Sequence, residues 1–179
     1  MSNYLNLNEN HYDDKQQIPE SWVLCQIGEV ARIIGGGTPK TSIPENFSKN
    51  GIPWITPADL TNCKSVFISS GKRNISKLGL RNSSAKLLPE NTVLFSSRAP
   101  IGYVAIAANE LATNQGFRSF VCAKEISPKY IYYYLKFAKP IAENLASGTT
   151  FKELSGSNAA KIPLALPPKY EQHRIVAKL

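Results

Sequence analysis

The sequence predicts an α+β domain: a compact mixed β-sheet with a few short helices, followed by the start of a long C-terminal helix. Three short runs of apolar, β-branched and aromatic residues follow one another between Val93 and Val121, separated by turn-forming residues, as neighbouring strands do. Ser127-Pro128 then opens a segment in which Ile131, Tyr134, Leu135 and Ala138 recur at helical spacing. A last helical pattern occupies 170–179.

The first 60 residues predict a tail and then alternating short elements. Residues 1–18 are rich in Asn, Asp and Gln, and we expect a mobile tail. Strand-like runs follow at 22–27 and 32–34, with a short turn of helix between them. The glycine-rich loop at 35–41 lacks the ending of a phosphate-binding P-loop, so we expect a flexible loop. Trp54 is interpreted as a core residue, with base stacking as the alternative.

The remaining elements are marked by proline and glycine. A helix is predicted to start after Thr56, with Pro57 in its first turn. A short helix at 75–80 is predicted to end near Gly79. Pro140 should divide the helix that starts at Pro128 from a second piece at 141–146, which a glycine cap at Ser147-Gly148 should end. On the C-terminal helix, Ile175, Val176 and Leu179 are predicted to share a face that a partner could cover.

Composition is that of an ordinary globular protein, with 42% hydrophobic residues. No run of about 18 apolar residues exists to span a membrane. The N-terminus has no apolar signal core, so we expect a cytoplasmic protein. The three cysteines are scattered, which favours reduced thiols and argues against a disulfide framework or a zinc site.

Positive charge is concentrated in the middle of the chain. The net charge is +8, and residues 61–108 carry seven bases against Glu90 alone, a local net of +6. A basic middle third is typical of a protein that binds a phosphate backbone. A solvated basic surface without any partner is the open alternative. The seven bases are Lys64, Lys72, Arg73, Lys77, Arg81, Lys86 and Arg98.

Hydrogen-bonding side chains stand at the predicted strand ends, where they would be presented rigidly to a partner. They include Ser96, Ser97, Arg98, Thr113, Asn114 and Gln115. No pair among them has the character of an acid, a base or a nucleophile. The Asp/Asn-Pro-Pro-Tyr/Phe tetrad of methyltransferases is absent, and 166–170 is only a superficial echo of it. The stretch therefore predicts recognition without catalysis.

Seven motifs, in order, carry a resemblance to a known family. The chain resembles one half of the specificity (S) subunit of type I restriction–modification enzymes, over residues 20–176. The motifs are Trp22-Val23 with Gly28-Glu29-Val30, Gly36-Gly37-Thr38-Pro39, Ile52-Pro53-Trp54-Ile55-Thr56-Pro57, Ser96-Ser97-Arg98-Ala99-Pro100-Ile101-Gly102, Ala112-Thr113-Asn114-Gln115-Gly116-Phe117, Ala146-Ser147-Gly148-Thr149-Thr150, and Pro167-Pro168 with Glu171-Gln172 and Arg174-Ile175-Val176. One departure is that only one recognition unit is present.

The resemblance implies a domain at 19–166 that reads one half of a bipartite double-stranded DNA site and docks a methyltransferase subunit. Residues 167–179 would be the truncated start of a spacer or dimerisation helix. A second copy of the chain, or a second recognition domain, would be joined through this helix. A restriction (motor) subunit would join for cleavage. The chain itself would have no active site, metal or cofactor; S-adenosylmethionine, ATP and Mg²⁺ are expected only on partner subunits. The alternatives are the recognition domain of a fused methyltransferase–nuclease, or a general nucleic-acid-binding module.

We predict base reading and phosphate contacts from a defined set of residues. Arg98 could grip guanine and Gln115 adenine, each worth about 1–3 kcal/mol of discrimination, and scaffold roles are the alternative for both. The 61–88 region is the candidate for base choice. The predicted DNA-binding residues are Thr38, Lys40, Lys64, Lys72, Arg73, Lys77, Arg81, Lys86, Ser97, Arg98, Asn114, Gln115, Thr149, Thr150 and Lys152.

Overall fold

The computed structural model describes residues 18–61, 63–98, 100–148 and 152–179. Within these ranges the chain forms ten strands and seven helices. The strands are β1 (Val23–Gln26), β2 (Ala31–Gly35), β3 (Phe47–Ile55), β4 (Phe67–Ile68), β5 (Arg73–Ile75), β6 (Val93–Ser97), β7 (Ile101–Ala107), β8 (Ala112–Thr113), β9 (Phe117–Cys122) and β10 (Pro163–Leu166). The helices are α1 (Ile27–Val30), α2 (Pro57–Leu60), α3 (Lys77–Arg81), α4 (Pro128–Phe137), α5 (Lys139–Leu145), α6 (Gly156–Ala160) and α7 (Lys169–Val176), and Pro44–Asn46 forms a 3-10 turn.

The strands form three sheets, which confirms the predicted α+β class. The central sheet has five strands in the order β2-β9-β6-β7-β4, antiparallel except for the parallel pair β4–β7. A second sheet, called the small sheet below, has the order β5-β3-β8. Its β3–β5 pair is antiparallel and its β3–β8 pair is parallel. β1 and β10 form a separate antiparallel pair.

The central sheet is the core because its strands are apolar on both faces, as expected for a sheet covered on both sides. Phe95 and Phe120 are fully buried and pack edge to face against each other, in the largest core cluster, which also contains residues of α4 and α5. Leu94 and Phe117 belong to a second cluster, which includes residues of β3 and α2. The predicted strands between Val93 and Val121 are thus confirmed as the centre of the fold.

Proline-marked helix starts lie where the sequence predicts them. Thr56 caps α2, its backbone N–H donating to the Asp59 carboxylate at 2.8 Å, and Pro57 is the first helical residue. Ser127 caps α4, its hydroxyl accepting from the Tyr130 N–H at 3.4 Å. The chain breaks between α4 and α5 at Ala138, two residues before Pro140, as predicted. Contrary to the predicted cap at Ser147-Gly148, α5 ends at Leu145 with Ala146 as an extended cap.

The small sheet encloses its own core of Trp54, Ile75, Ala85 and Ala112. Trp54 is 5% exposed and donates its indole N–H to the Gly37 carbonyl at 3.0 Å, which confirms it as a core residue. The same bond ties the glycine-rich loop down. A Cβ atom on Gly37 would lie 2.3 Å from the Ala85 nitrogen. The prediction of a flexible loop here is therefore wrong, because the glycines permit close packing.

Two helix predictions need correction. The helix predicted to end near Gly79 continues to Arg81, and Gly79 lies inside it because a side chain there would meet the Asn46 backbone. The C-terminal helix, predicted over 170–179, ends earlier, at Val176, with the Ala177 N–H bonded to the His173 carbonyl.

The predicted helical face of Ile175, Val176 and Leu179 is therefore not formed. Leu179 lies outside α7 and is 71% exposed, whereas Ile175 and Val176 pack against the largest core cluster. The domain boundaries stay a prediction, and residues 1–17 of the predicted tail lie outside the described residues. Across the described part of the chain, every helix is too short or too polar to cross a bilayer.

Candidate nucleic-acid interface

Thr38 and Gln115, 77 residues apart in the chain, meet at the surface. Thr38 donates its hydroxyl to the Gln115 side-chain oxygen, and both residues are exposed. Two backbone bonds bring the loops together: the Gly37 N–H donates to the Thr113 carbonyl at 2.9 Å, and the Asn114 N–H to the Ile55 carbonyl at 3.0 Å. The polar pair is thus held by the end of the small sheet.

Asn114 and Ser97 serve the scaffold in this structure. The Asn114 side-chain oxygen accepts the Gly116 N–H at 2.9 Å, a local turn that holds the loop. Ser97 is fully buried, with its N–H bonded to the Gly116 carbonyl at 2.8 Å and its carbonyl to the Leu154 N–H at 2.9 Å. We therefore withdraw Ser97 from the predicted DNA contacts, because its hydroxyl lies beneath the surface.

Arg98 shares one carboxylate with a second arginine. Glu153 lies 3.8 Å from the Arg98 guanidinium and 3.0 Å from that of Arg118. The sequence reading missed both Glu153 and Arg118, since they are 35 residues apart and no local pattern links them. Glu153 also pairs with Ser147 through two backbone bonds, of 3.1 and 2.8 Å, so these two residues lie side by side. Lys152 is exposed there, and the predicted contacts Thr149 and Thr150 lie outside the described residues.

Much of the basic middle of the chain lies on or next to the small sheet. Residues 40–86 carry eight bases against Glu45 and Asp59, a net charge of +6. All eight are exposed, and among the described residues none of them forms an ion pair. The carboxylate of Asp59 instead accepts backbone N–H groups of Thr56 and Lys72. The eight bases are Lys40, Lys49, Lys64, Lys72, Arg73, Lys77, Arg81 and Lys86.

Three of these bases line one open groove of about 510 Å³ between β3 and β5. Lys49, Lys72 and Arg73 are its charged residues, and no carboxylate lines it. The Arg73 guanidinium lies 3.9 Å above the centre of the Phe47 ring, which fixes its direction. The sequence reading missed Lys49, which is separated in the chain from the basic 61–108 region and joins it only through strand pairing.

The short helix α3 is anchored beside this groove. Its cap, Ser76, accepts the Gly79 N–H at 3.0 Å and donates its hydroxyl to the Glu45 carbonyl at 2.6 Å. Asn46 is fully buried and accepts the Ser76 N–H on its carbonyl at 2.9 Å. Lys77 and Arg81, at the two ends of α3, are thereby held on the small sheet. Lys64 lies outside this sheet, in the loop between α2 and β4, and Lys152 lies next to Glu153.

The described residues offer little for metal binding or for nucleophilic chemistry by a thiol. No three His, Cys, Asp or Glu side chains there come together to hold a metal ion. Burial raises the pKa of the Cys122 thiol to about 11. Burial, with the nearby Glu29 carboxylate, also raises the pKa of Cys25. Neither thiol is ionised near neutral pH, so neither has the character of an activated nucleophile.

Comparison with known sequences identifies the family. Residues 19–179 match the family described as "Type I restriction modification DNA specificity domain". The MjaIX specificity subunit of Methanocaldococcus jannaschii is 40% identical over 169 residues, which are 93% of this chain and 39% of that protein. The EcoR124I/EcoR124II specificity subunit of Escherichia coli is 29% identical over 84% of this chain and 38% of its own length.

Solved structures share the fold. A chain of a type I R-M system superimposes with a TM-score of 0.73 at 25% identity, over 92% of this chain and 39% of that one. The HsdS subunit from Thermoanaerobacter tengcongensis gives a TM-score of 0.69 at 24% identity, over 93% and 38%. The chain thus spans about two fifths of the length of these relatives. The family match and the shared fold together show that this chain belongs to the type I restriction–modification DNA specificity domain family.

Proposed function

We propose that this chain is a DNA target-recognition module of a type I restriction–modification system, which reads one half of a bipartite double-stranded site. The family match over 19–179 carries this proposal. The unpaired positive charge around the small sheet supports it, because cations that are not neutralised within the protein are available to phosphates. In this proposal the chain acts in the cytoplasm and has no active site of its own.

The proposed interface divides into phosphate and base contacts. Lys49, Lys72 and Arg73 in the groove, with Lys40, Lys64, Lys77, Arg81, Lys86 and Lys152, would contact phosphates and set affinity and register. Gln115 already accepts a hydrogen bond from Thr38, and Arg98 already faces Glu153. Both pairings favour positioning or backbone roles for these side chains. Base choice would then fall to 61–88, between the phosphate contacts.

The proposed partners follow from membership of the type I restriction–modification specificity domain family. A methyltransferase subunit would dock on this chain, and a restriction subunit would join for cleavage. The chain covers only about two fifths of its relatives, so a second copy or a second recognition domain would read the other half-site. S-adenosylmethionine, ATP and Mg²⁺ would be held by those partners.

The phosphate assignment is tested by a charge-matched pair of triple variants. The groove variant is K49Q/K72Q/R73Q. The control, K124Q/K161Q/K178Q, removes the same charge from exposed lysines outside the small sheet, none of them in an ion pair among the described residues. Fluorescence anisotropy with a labelled random-sequence duplex at several salt concentrations gives the slope of log K against log salt.

The groove variant should flatten that slope by about 2.7, because each lost phosphate contact removes about 0.9. The control should change it much less. Equal flattening by both variants would mean that net charge alone binds the duplex. Sequence reading is tested separately by methylome sequencing of a host with and without the gene, and persistence of every methylated motif after deletion would contradict the proposal.

A further inference from the structure

We propose that Glu153 is a built-in anion: it occupies the position between Arg98 and Arg118 that a DNA phosphate would take, and so lowers the affinity for duplexes of any sequence. This inference rests on the proposed DNA-binding function. Its starting observation is a contrast within the proposed interface. The eight bases of 40–86 form no ion pair among the described residues, whereas Arg98 faces a carboxylate.

Glu153 is fixed in place by its backbone and by Arg118. Two backbone hydrogen bonds join it to Ser147, and the next residue, Leu154, is fully buried and bonds to the Ser97 carbonyl. One carboxylate oxygen, Oε1, lies 3.0 Å from the Arg118 guanidinium. The ion pair with Arg118 therefore opposes rotation of the carboxylate when a phosphate approaches.

Arg118 in turn needs this carboxylate. Its side chain is 15% exposed, and its Nε is buried without a hydrogen-bond partner in the described part of the chain. One guanidinium nitrogen donates to the Phe117 carbonyl at 2.9 Å and lies beside Gly35. Because a largely desolvated cation is costly without an anion, Arg118 holds Glu153 firmly.

Arg98 is held more loosely by the second carboxylate oxygen. The distance from its guanidinium to Oε2 is 3.8 Å, and the two side chains are 37% and 40% exposed. Such an exposed contact is weak and readily exchanged. Glu153 nevertheless places a negative charge beside Arg98, so the pair attracts a phosphate less than Arg98 would alone.

The test is Glu153→Gln, which removes the charge but keeps an oxygen that can accept from Arg118. The matched control is Glu143→Gln, since Glu143 pairs with Lys139 at 3.8 Å and is 43% exposed on α5. Binding of a random-sequence duplex is measured by anisotropy over a salt series, with thermal unfolding as the check on folding. E153Q should steepen the salt slope by about 0.9 and bind up to about eightfold more tightly at about 0.1 M salt, the counterion-release value for one cation. E143Q should leave both quantities unchanged.

A double-mutant cycle assigns the effect to Arg98. R98Q leaves the Glu153–Arg118 bond intact, and it should flatten the slope much less than K72Q does, because the charge of Arg98 is already offset. In R98Q/E153Q the gain seen for E153Q should disappear.

The outcomes separate this inference from the proposed function. Wild-type protein that binds duplex with a steep salt slope, together with an E153Q variant of unchanged or weaker affinity, would overturn the inference alone. If E153Q fails to fold, an R98Q slope as much reduced as that of K72Q would overturn it. Wild-type protein without any salt-dependent duplex binding would contradict the proposed function itself.

Discussion

Gly79→Ala should destabilise this protein, although the same change in an open helix is stabilising. Gly79 lies inside α3, where replacing glycine by alanine favours the helix by about 0.8–1 kcal/mol. Here, however, an added Cβ would lie 2.1 Å from the Asn46 carbonyl oxygen and 2.9 Å from its carbon. Both are backbone atoms of the 3-10 turn, and Asn46 is fully buried, so α3 must move away.

Overpacking of this kind costs about 1–3 kcal/mol. Subtracting the gain in helix propensity leaves a net loss of up to about 2 kcal/mol in the free energy of unfolding. For a protein of 179 residues, 1 kcal/mol corresponds to roughly 2–4 °C, so Tm should fall by up to about 8 °C. Lys77 and Arg81 move with α3, so duplex affinity should fall as well.

The matched control is Gly156→Ala in α6, where an added Cβ meets nothing within 4 Å. That variant should gain about 0.4–1 kcal/mol through the lower entropy of its unfolded chain. Both variants are measured by calorimetry and by urea unfolding with the wild type alongside. If Gly79→Ala raises Tm as much as Gly156→Ala does, the close contact between α3 and the 3-10 turn is wrong.

Two further predictions concern the C-terminal helix and a partly buried thiol. Gln172→Ala should cost about 2–3 kcal/mol in urea unfolding, because the side chain of Gln172 is only 2% exposed, accepts the Ser127 N–H at 2.8 Å and donates to the Pro167 carbonyl at 3.1 Å. The control is His173→Ala at the exposed neighbour, and a similar loss of stability in that variant would contradict this prediction. Burial raises the pKa of Cys122 from 9.0 to about 11, so the thiol stays protonated to a higher pH in the folded state than in the unfolded state. The stability that this difference contributes is present below pH 9 and is lost as pH rises through about 11. Cys122→Ser should lose less stability between pH 9 and 11 than the wild type, and identical pH profiles would refute the shift.

Local signals in the sequence were enough to place several elements. The starts of α2 and α4 depend on a capping residue and a proline next to it, and both helices begin where Thr56-Pro57 and Ser127-Pro128 predict. The central strands between Val93 and Val121 follow from short β-branched and aromatic runs. The order of the motifs also predicted the family, which the match over 19–179 confirms.

The same local reasoning failed for the site. Ser97 stands at a strand end, as a binding residue does, yet the segment around Leu154 covers it. Lys49 reaches the basic groove only through the pairing of β3 with β5. Glu153 meets Arg98 and Arg118 only because backbone bonds return the chain to β6. Each of these facts depends on residues far apart in the sequence.

The sequence by itself determined the fold class, the family, the main helix starts and the excess of positive charge, because these depend on residue types and on neighbours within a few positions. Only the tertiary structure decided which polar groups are buried, which cations share a groove, and which arginines meet a carboxylate. The physical reason is that burial and ion pairing are set by contacts across sheets and loops. The Arg118–Glu153 pair spans 35 residues, and the Thr38–Gln115 pair spans 77.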